Sequence, residues 1–158
     1  GTVSTAEKAE LAKAHGCDHP IVYTEENFVE RVRTLTDGRG VPVVYDSIGK
    51  DTFEGSLDCL QPRGLLVSFG NASGAVEPFS PAILAAKGSL FLTRPTLATF
   101  IATPEQLRAT TSDLFEVVGG GFVKIEVSQT YALEDAAQAH RDLEARKTTG
   151  STVLLTSA

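Results

Sequence analysis

The sequence predicts an α/β domain built on a parallel sheet, and three observations carry that expectation. Strand-like and helix-like patterns alternate over residues 1–93, as in successive βαβ units. Two runs, 41–45 and 65–69, are apolar and rich in Val and Leu, as strands buried on both faces are. The residues just after the expected strands are mostly polar or glycine: Ser4, Tyr23, Asp46 with Ser47, Phe69 with Gly70 and Asn71, and Thr93 with Arg94. Such sheets bind ligands beyond the carboxyl ends of their strands, so these residues would share one working edge.

The elements follow in order. Thr2 and Val3 read as the tail of a strand. A helix over 5–15 starts at Ser4 or Thr5, takes first-turn charge from Glu7 and stops at Gly16. A short strand at 21–23 leads to a helix over 25–36, with Phe28, Val29, Val32 and Leu35 at helical spacing. A glycine-rich turn at 37–40 precedes the strand at 41–45. A helix over 51–60 places Phe53, Leu57 and Leu60 on one side, and the strand at 65–69 runs into the polar loop 70–74. A strand at 89–93 follows. Beyond it are a helix over 104–118 with proline near its first position, a glycine stop at 119–121, and a strand near 125–131. A helix over 133–146 and a strand at 152–155 complete the series.

Composition bounds the function. The chain has 158 residues, 42% apolar, and a net charge of -6. The length provides one ordinary core, or one domain and part of another. No apolar run reaches the ~18 residues of a membrane span, and no basic region leads into an apolar run at the N-terminus, so no signal peptide is expected. The acidic balance disfavours nucleic acid. Cys17 and Cys59 lie far apart; free thiols and a cytoplasmic location are expected. There is no methionine, which fits a piece of a longer chain.

Val3 is followed by Ser4, with no carboxylate there. In a dinucleotide-binding fold the second strand ends beside the adenosine ribose. An acid at that point selects the free 2′-hydroxyl, whereas a hydroxyl with a cation suits a 2′-phosphate. Lys8 lies one helical turn into the next helix and projects back toward the strand end. Tyr23 closes the neighbouring strand. The three side chains make a phosphate clamp; the plain alternative is a solvated lysine on an exposed helix face.

Three stretches carry a specific resemblance: GTVSTAEKAELAKAHGCDHPIVY, VVYDSIGKDTFEGSLDCLQPRGLLVSFGNASGAV and GSLFLTRPTL. With YDSIG, SFGNASG and LTRP as its most specific motifs, the chain resembles the zinc-independent NADPH:quinone oxidoreductases, the zeta-crystallin group of the medium-chain dehydrogenase/reductase superfamily. The resemblance runs over essentially the whole chain. It implies that Ser4, Lys8 and Tyr23 surround the adenosine 2′-phosphate of NADPH. It implies that Ser47, Phe69, Gly70 and Asn71 line the groove for the rest of the cofactor. Leu92 and Thr93 would offer backbone groups to the nicotinamide carboxamide. Arg146 is similar to a family arginine that approaches the cofactor from the C-terminal segment, although a cation near a helix C-terminus is favourable in any case.

The resemblance also implies a truncated Rossmann-type doubly wound sheet. Its first βα unit, with the glycine-rich turn, would precede Thr2, as would an N-terminal catalytic domain. Residues 1–101 would be a partial NADPH-binding domain, and 102–158 a segment returning to the catalytic domain. Alone, such a piece is expected to be inactive. The strand at 89–93 would pair with its twin in a homodimer, removing an apolar edge.

The expected activity is hydride transfer from NADPH to a quinone-type acceptor, with no general acid or base in this segment. The nearest alternative is NADPH-dependent reduction of an enoyl or alkenal C=C bond. A non-catalytic crystallin-like or RNA-binding role is of another class. Asp46 can be read as a nucleophile or metal ligand, but no second carboxylate or histidine has suitable spacing, so a loop-fixing or cofactor-contacting role is expected. Cys59 sits on an apolar helix face and reads as core. There is no CxxC or histidine pair, so no zinc site is expected.

Overall fold

The computed structural model describes residues 1–156. The chain divides into two compact units, Gly1–Thr99 and a second beginning at Phe100.

The first unit opens with strand β1 (Thr2–Val3) and helix α1 (Ala6–Ala14). Thr5 caps α1: its backbone is extended and its hydroxyl accepts the Lys8 N–H at 3.3 Å. Glu7 in the first turn and Lys13 in the last complement the helix dipole. Ala9 is the only fully buried residue of α1, and Leu11 is exposed; a helix rich in alanine has little side chain to bury. Strand β2 (Ile21–Val22) pairs in parallel with β1, Val3 opposite Val22.

Helix α2 (Phe28–Leu35) starts later than the helix expected over 25–36, at the first residue of the apolar spacing. Asn27 is the reason, because its side-chain oxygen accepts the N–H groups of Val29 and Glu30. Glu25 and Glu26 instead donate back to the Val22 carbonyl in a turn. At the far end of α2, Arg33 ties the helix to its surroundings, donating to the carbonyls of Gly38, Asp58 and Leu60.

Strands β3 (Val41–Asp46), β4 (Leu60–Ser68) and β5 (Phe91–Thr93) form a parallel sheet in the order β3-β4-β5. Helix α3 (Phe53–Asp58) joins the first two, and α4 (Ala82–Ala86), absent from the sequence reading, precedes β5. The core is Phe53, Leu57, Leu60, Leu66 and Leu90, with Val44, Ile83 and Leu92 among the partly buried residues around it. Phe53 meets Phe79 with ring centroids 4.8 Å apart.

One expectation needs correction. Strand β3 is not buried on both faces: Val43 is 37% and Tyr45 73% exposed. The cause is position. Among the described residues β3 pairs with β4 alone, so its other flank and part of one face have no neighbour there. In a doubly wound sheet of order 3-2-1-4-5-6, β2 and β1 correspond to the 3-2 half. The set β3-β4-β5 corresponds to 4-5-6. No ladder joins β1 to β3 among the described residues.

A helical turn, α5 (Leu97–Phe100), leads on to the second unit. There α6 (Pro104–Gly119) carries a full capping box: Thr103 and Gln106 exchange side-chain-to-backbone hydrogen bonds, and Pro104 stands at the start. Gly120 closes the helix, as the sequence predicts. Strand β6 (Val127–Ala132) and strand β7 (Ser151–Leu155) pair in parallel. Between them a 3₁₀ turn (Leu133–Asp135) leads into helix α7 (Ala136–Glu144). Tyr131 donates to the Asp142 carboxylate, as do Gln138 and Lys147, so strand, helix and following loop share one anchor. No helix of the described residues is long and apolar enough to cross a membrane.

Candidate functional site

Strand register decides which residues meet at the carboxyl edge of the first unit. Asp46 stands opposite Ser68, and Val67 opposite Thr93. The segments 46–49, 68–74 and 93–94 therefore emerge side by side.

Asp46 organises this edge. It is 5% exposed and its carboxylate accepts four hydrogen bonds. Oδ1 takes the N–H groups of Ile48 (2.8 Å) and Gly49 (3.0 Å); Oδ2 takes the hydroxyls of Thr52 (2.8 Å) and Ser56 (2.7 Å). Burial alone would push its pKa up. The bonds from Gly49, Ser56, Thr52 and Ile48 outweigh that and hold it below the usual carboxylate range. Such a carboxylate is committed to holding its own turn, which answers whether it is a nucleophile.

The turn that Asp46 holds seats the next loop. The Asp46 carbonyl accepts the Phe69 N–H, Ser47 accepts from Ala72, and Ile48 accepts from Ser73. Gly49 has φ +90°, and a Cβ there would fall 2.6 Å from the Gly74 carbonyl oxygen. A Cβ on Gly70 would fall 2.3 Å from the Ser47 carbonyl oxygen. Both contacts demand glycine. From the other side Arg94 reaches over, its Nη1 donating to the carbonyls of Ser68 (2.8 Å) and Gly70 (3.0 Å).

The structure thus brings Ser47, Phe69, Gly70 and Asn71 into one loop cluster, with Leu92 and Thr93 at the end of the adjoining strand. Ser47, Phe69, Asn71 and Thr93 are exposed there. Ser4 and Tyr23 meet at the carboxyl end of the β1–β2 pair. The Tyr23 N–H donates to the Val3 carbonyl at 3.1 Å, and the Thr24 hydroxyl donates to the Ser4 carbonyl at 3.0 Å. Lys8 sits in the first turn of α1, half-buried, with its N–H on the Thr5 cap. Arg146 belongs to the second unit, just past α7, with φ +58°. Sequence alone gives Arg94 and Thr24 no site role. Only the position of Arg94 after a strand, within LTRP, marked it.

Among the described residues no three His, Cys, Asp or Glu side chains gather as a metal-binding group. Cys59 is buried, and burial, partly offset by Arg33 and reinforced by Asp58, pushes its thiol up to about 11. It is a core residue with little thiolate, not a redox centre.

The whole chain is 57% identical over 155 residues to a quinone oxidoreductase of Pseudomonas aeruginosa, covering 98% of this chain and 48% of that protein. It is 46% identical over 159 residues to a 2-haloacrylate reductase of a Burkholderia species, covering 100% and 48%. The crystal structure of Escherichia coli quinone oxidoreductase complexed with NADPH superposes with a TM-score of 0.93 at 49% identity, covering 98% of this chain and 48% of that one. The chain spans about half the length of the curated relatives it matches. With the zinc-binding dehydrogenase family model matching residues 15–154, this chain belongs to that family, within the medium-chain dehydrogenase/reductase superfamily.

Proposed function

We propose that the chain is the cofactor-binding part of an NADPH-dependent reductase of quinone-type acceptors. The observation that carries this reading is the loop cluster at the carboxyl edge of β3, β4 and β5. The N–H groups of Phe69, Ala72, Ser73 and Gly74 are all consumed inside the cluster. Those of Gly70 and Asn71 meet no acceptor among the described residues. A glycine-lined edge with two uncommitted donors suits a dinucleotide. NADPH, when bound, supplies the hydride; the protein supplies position and charge.

On this reading Ser4, Lys8 and Tyr23 hold the adenosine 2′-phosphate. Ser47, Phe69, Gly70 and Asn71 line the groove, and Leu92 and Thr93 receive the carboxamide through their backbone. Residues 1–101 act as the cofactor domain and 102–158 belong with the acceptor domain. The chain alone would turn over no acceptor. A homodimer pairing the 89–93 strands and a cytoplasmic location complete the proposal.

Zinc is implied by the family's descriptive name, but among the described residues no His, Cys, Asp and Glu side chains gather in a group that would hold it. The proposed enzyme is zinc-independent.

A second reading, reduction of an activated C=C bond, is favoured by the similarity to a 2-haloacrylate reductase. Titration of the full-length protein with NADPH and NADH, followed by nicotinamide fluorescence, tests the cofactor assignment. Strong preference for NADPH supports it, and equal binding removes the phosphate clamp. A quinone-against-alkenoate substrate screen then separates the two readings. Failure to bind either nucleotide would leave the crystallin-like and RNA-binding alternatives, which salt-dependent filter binding distinguishes.

A further inference from the structure

The loop after β4 is pinned on both flanks. Phe69 N–H donates to Asp46, and Ala72 N–H donates to Ser47. Between them lie two peptide groups whose N–H groups have no acceptor among the described residues, Phe69–Gly70 and Gly70–Asn71; of these, Gly70–Asn71 is the one whose carbonyl a side chain holds. Glycine tolerates a wide range of backbone angles. This peptide group can therefore rotate without breaking either flanking bond. One side chain opposes that rotation: Arg94 Nη1 donates to the Gly70 carbonyl at 3.0 Å and to the Ser68 carbonyl at 2.8 Å. The Ser68 bond anchors the guanidinium to the end of β4, so the Gly70 bond has a fixed reference.

The geometry of a trans peptide does the rest. Its C=O and N–H point in opposite directions, and among the described residues no peptide bond is cis. With the Gly70 carbonyl held by Arg94, the Asn71 N–H is directed away from Arg94.

We propose that Arg94 is a positioning residue: it orients the Gly70–Asn71 peptide so that the Asn71 N–H is presented to the cofactor. The inference rests on the NADPH reading above. It assigns Arg94 no contact with cofactor or substrate. Asp46 and Arg94 then divide the work, one seating the loop against β3 and the other setting the direction of the Asn71 donor.

The test uses Arg94→Ala and Arg94→Lys in the full-length protein, with two readouts. The first needs no cofactor: the amide resonance and hydrogen exchange of Asn71 in the nucleotide-free protein. Arg94→Ala should shift or broaden that resonance, while amides of the β3–β4 core stay in place. The second compares NADPH with 2′,5′-ADP, which probes only the 2′-phosphate end. Arg94→Ala should raise the Kd for NADPH about tenfold, the loss of one well-directed hydrogen bond. The Kd for 2′,5′-ADP should stay within about twofold, and Arg94→Lys should recover part of the loss. Unchanged NADPH binding with an unchanged Asn71 amide overturns the proposal. So does equal weakening of both ligands, which marks general damage to the fold. If the unsubstituted protein binds no NADPH, the cofactor reading fails first and this proposal falls with it.

Discussion

Gly70 lies against Ser47 so closely that a β-carbon on it would stand 2.3 Å from the Ser47 carbonyl oxygen. Backbone meets backbone there, so no side chain can swing aside to make room. Gly70→Ala should cost about 1–3 kcal/mol, the usual range for overpacking. It should also displace the 69–74 loop. Chemical denaturation of the variant checks this; a midpoint equal to that of the parent protein would refute the close approach.

Asp46→Ala removes the acceptor for two backbone amides and two hydroxyls in a nearly closed site. A loss of about 3 kcal/mol is expected. Asp46→Asn, which keeps the shape, should lose less. Because the folded pKa is depressed, the carboxylate's contribution is fully present above its unfolded value of about 3.9. It disappears as pH falls through the lower folded value. Stability measured from pH 7 to pH 2 should fall less steeply at the acid end for Asp46→Asn than for the parent.

Lys8→Ala tests the phosphate clamp. In the full-length protein it should weaken NADPH by about one to two decades and leave NADH nearly unchanged, the size of a charge-assisted hydrogen bond. Equal losses for both cofactors would remove Lys8 from the 2′-phosphate site.

With its pKa pushed up to about 11, Cys59 should be almost inert to alkylation at pH 8. An unperturbed thiol titrates near 8.5, so the thiolate fraction is lower by about 100-fold or more. Half-buried Cys17 should label first. Peptide mapping after timed iodoacetamide treatment reads the order, and denaturant should equalise the two.

Phe91 is 60% exposed on β5, whose only partner among the described residues is β4. Phe91→Asp should therefore leave the first unit folded yet abolish the proposed dimer. Sedimentation of the full-length parent and variant measures this. A variant that remains dimeric would move the interface elsewhere.

Much of the architecture was legible because its causes are local. The Val- and Leu-rich runs at 41–45 and 65–69, the cap of α1 at Ser4 or Thr5, the proline that opens α6 and the glycine stop after it depend on residues within a turn of one another. Asn27 is an instructive failure. It is as local as the others, but a helix expected over 25–36 runs across it, and the cap governs the start of a helix more strictly than hydrophobic period does.

The candidate site was legible only as a row of strand ends. Sequence by itself determined the alternation of strands and helices, the carboxyl-edge residues and the motifs of the family. Tertiary structure decided what those residues do to one another. Asp46 became a buried anchor, Arg94 reached a carbonyl 24 positions away, and Tyr45 was left open to solvent on a strand paired along one flank among the described residues. The physical reason is register. Which strand ends lie side by side, and which strand has a neighbour on each flank, is set by pairing between segments tens of residues apart. No local pattern encodes those distances.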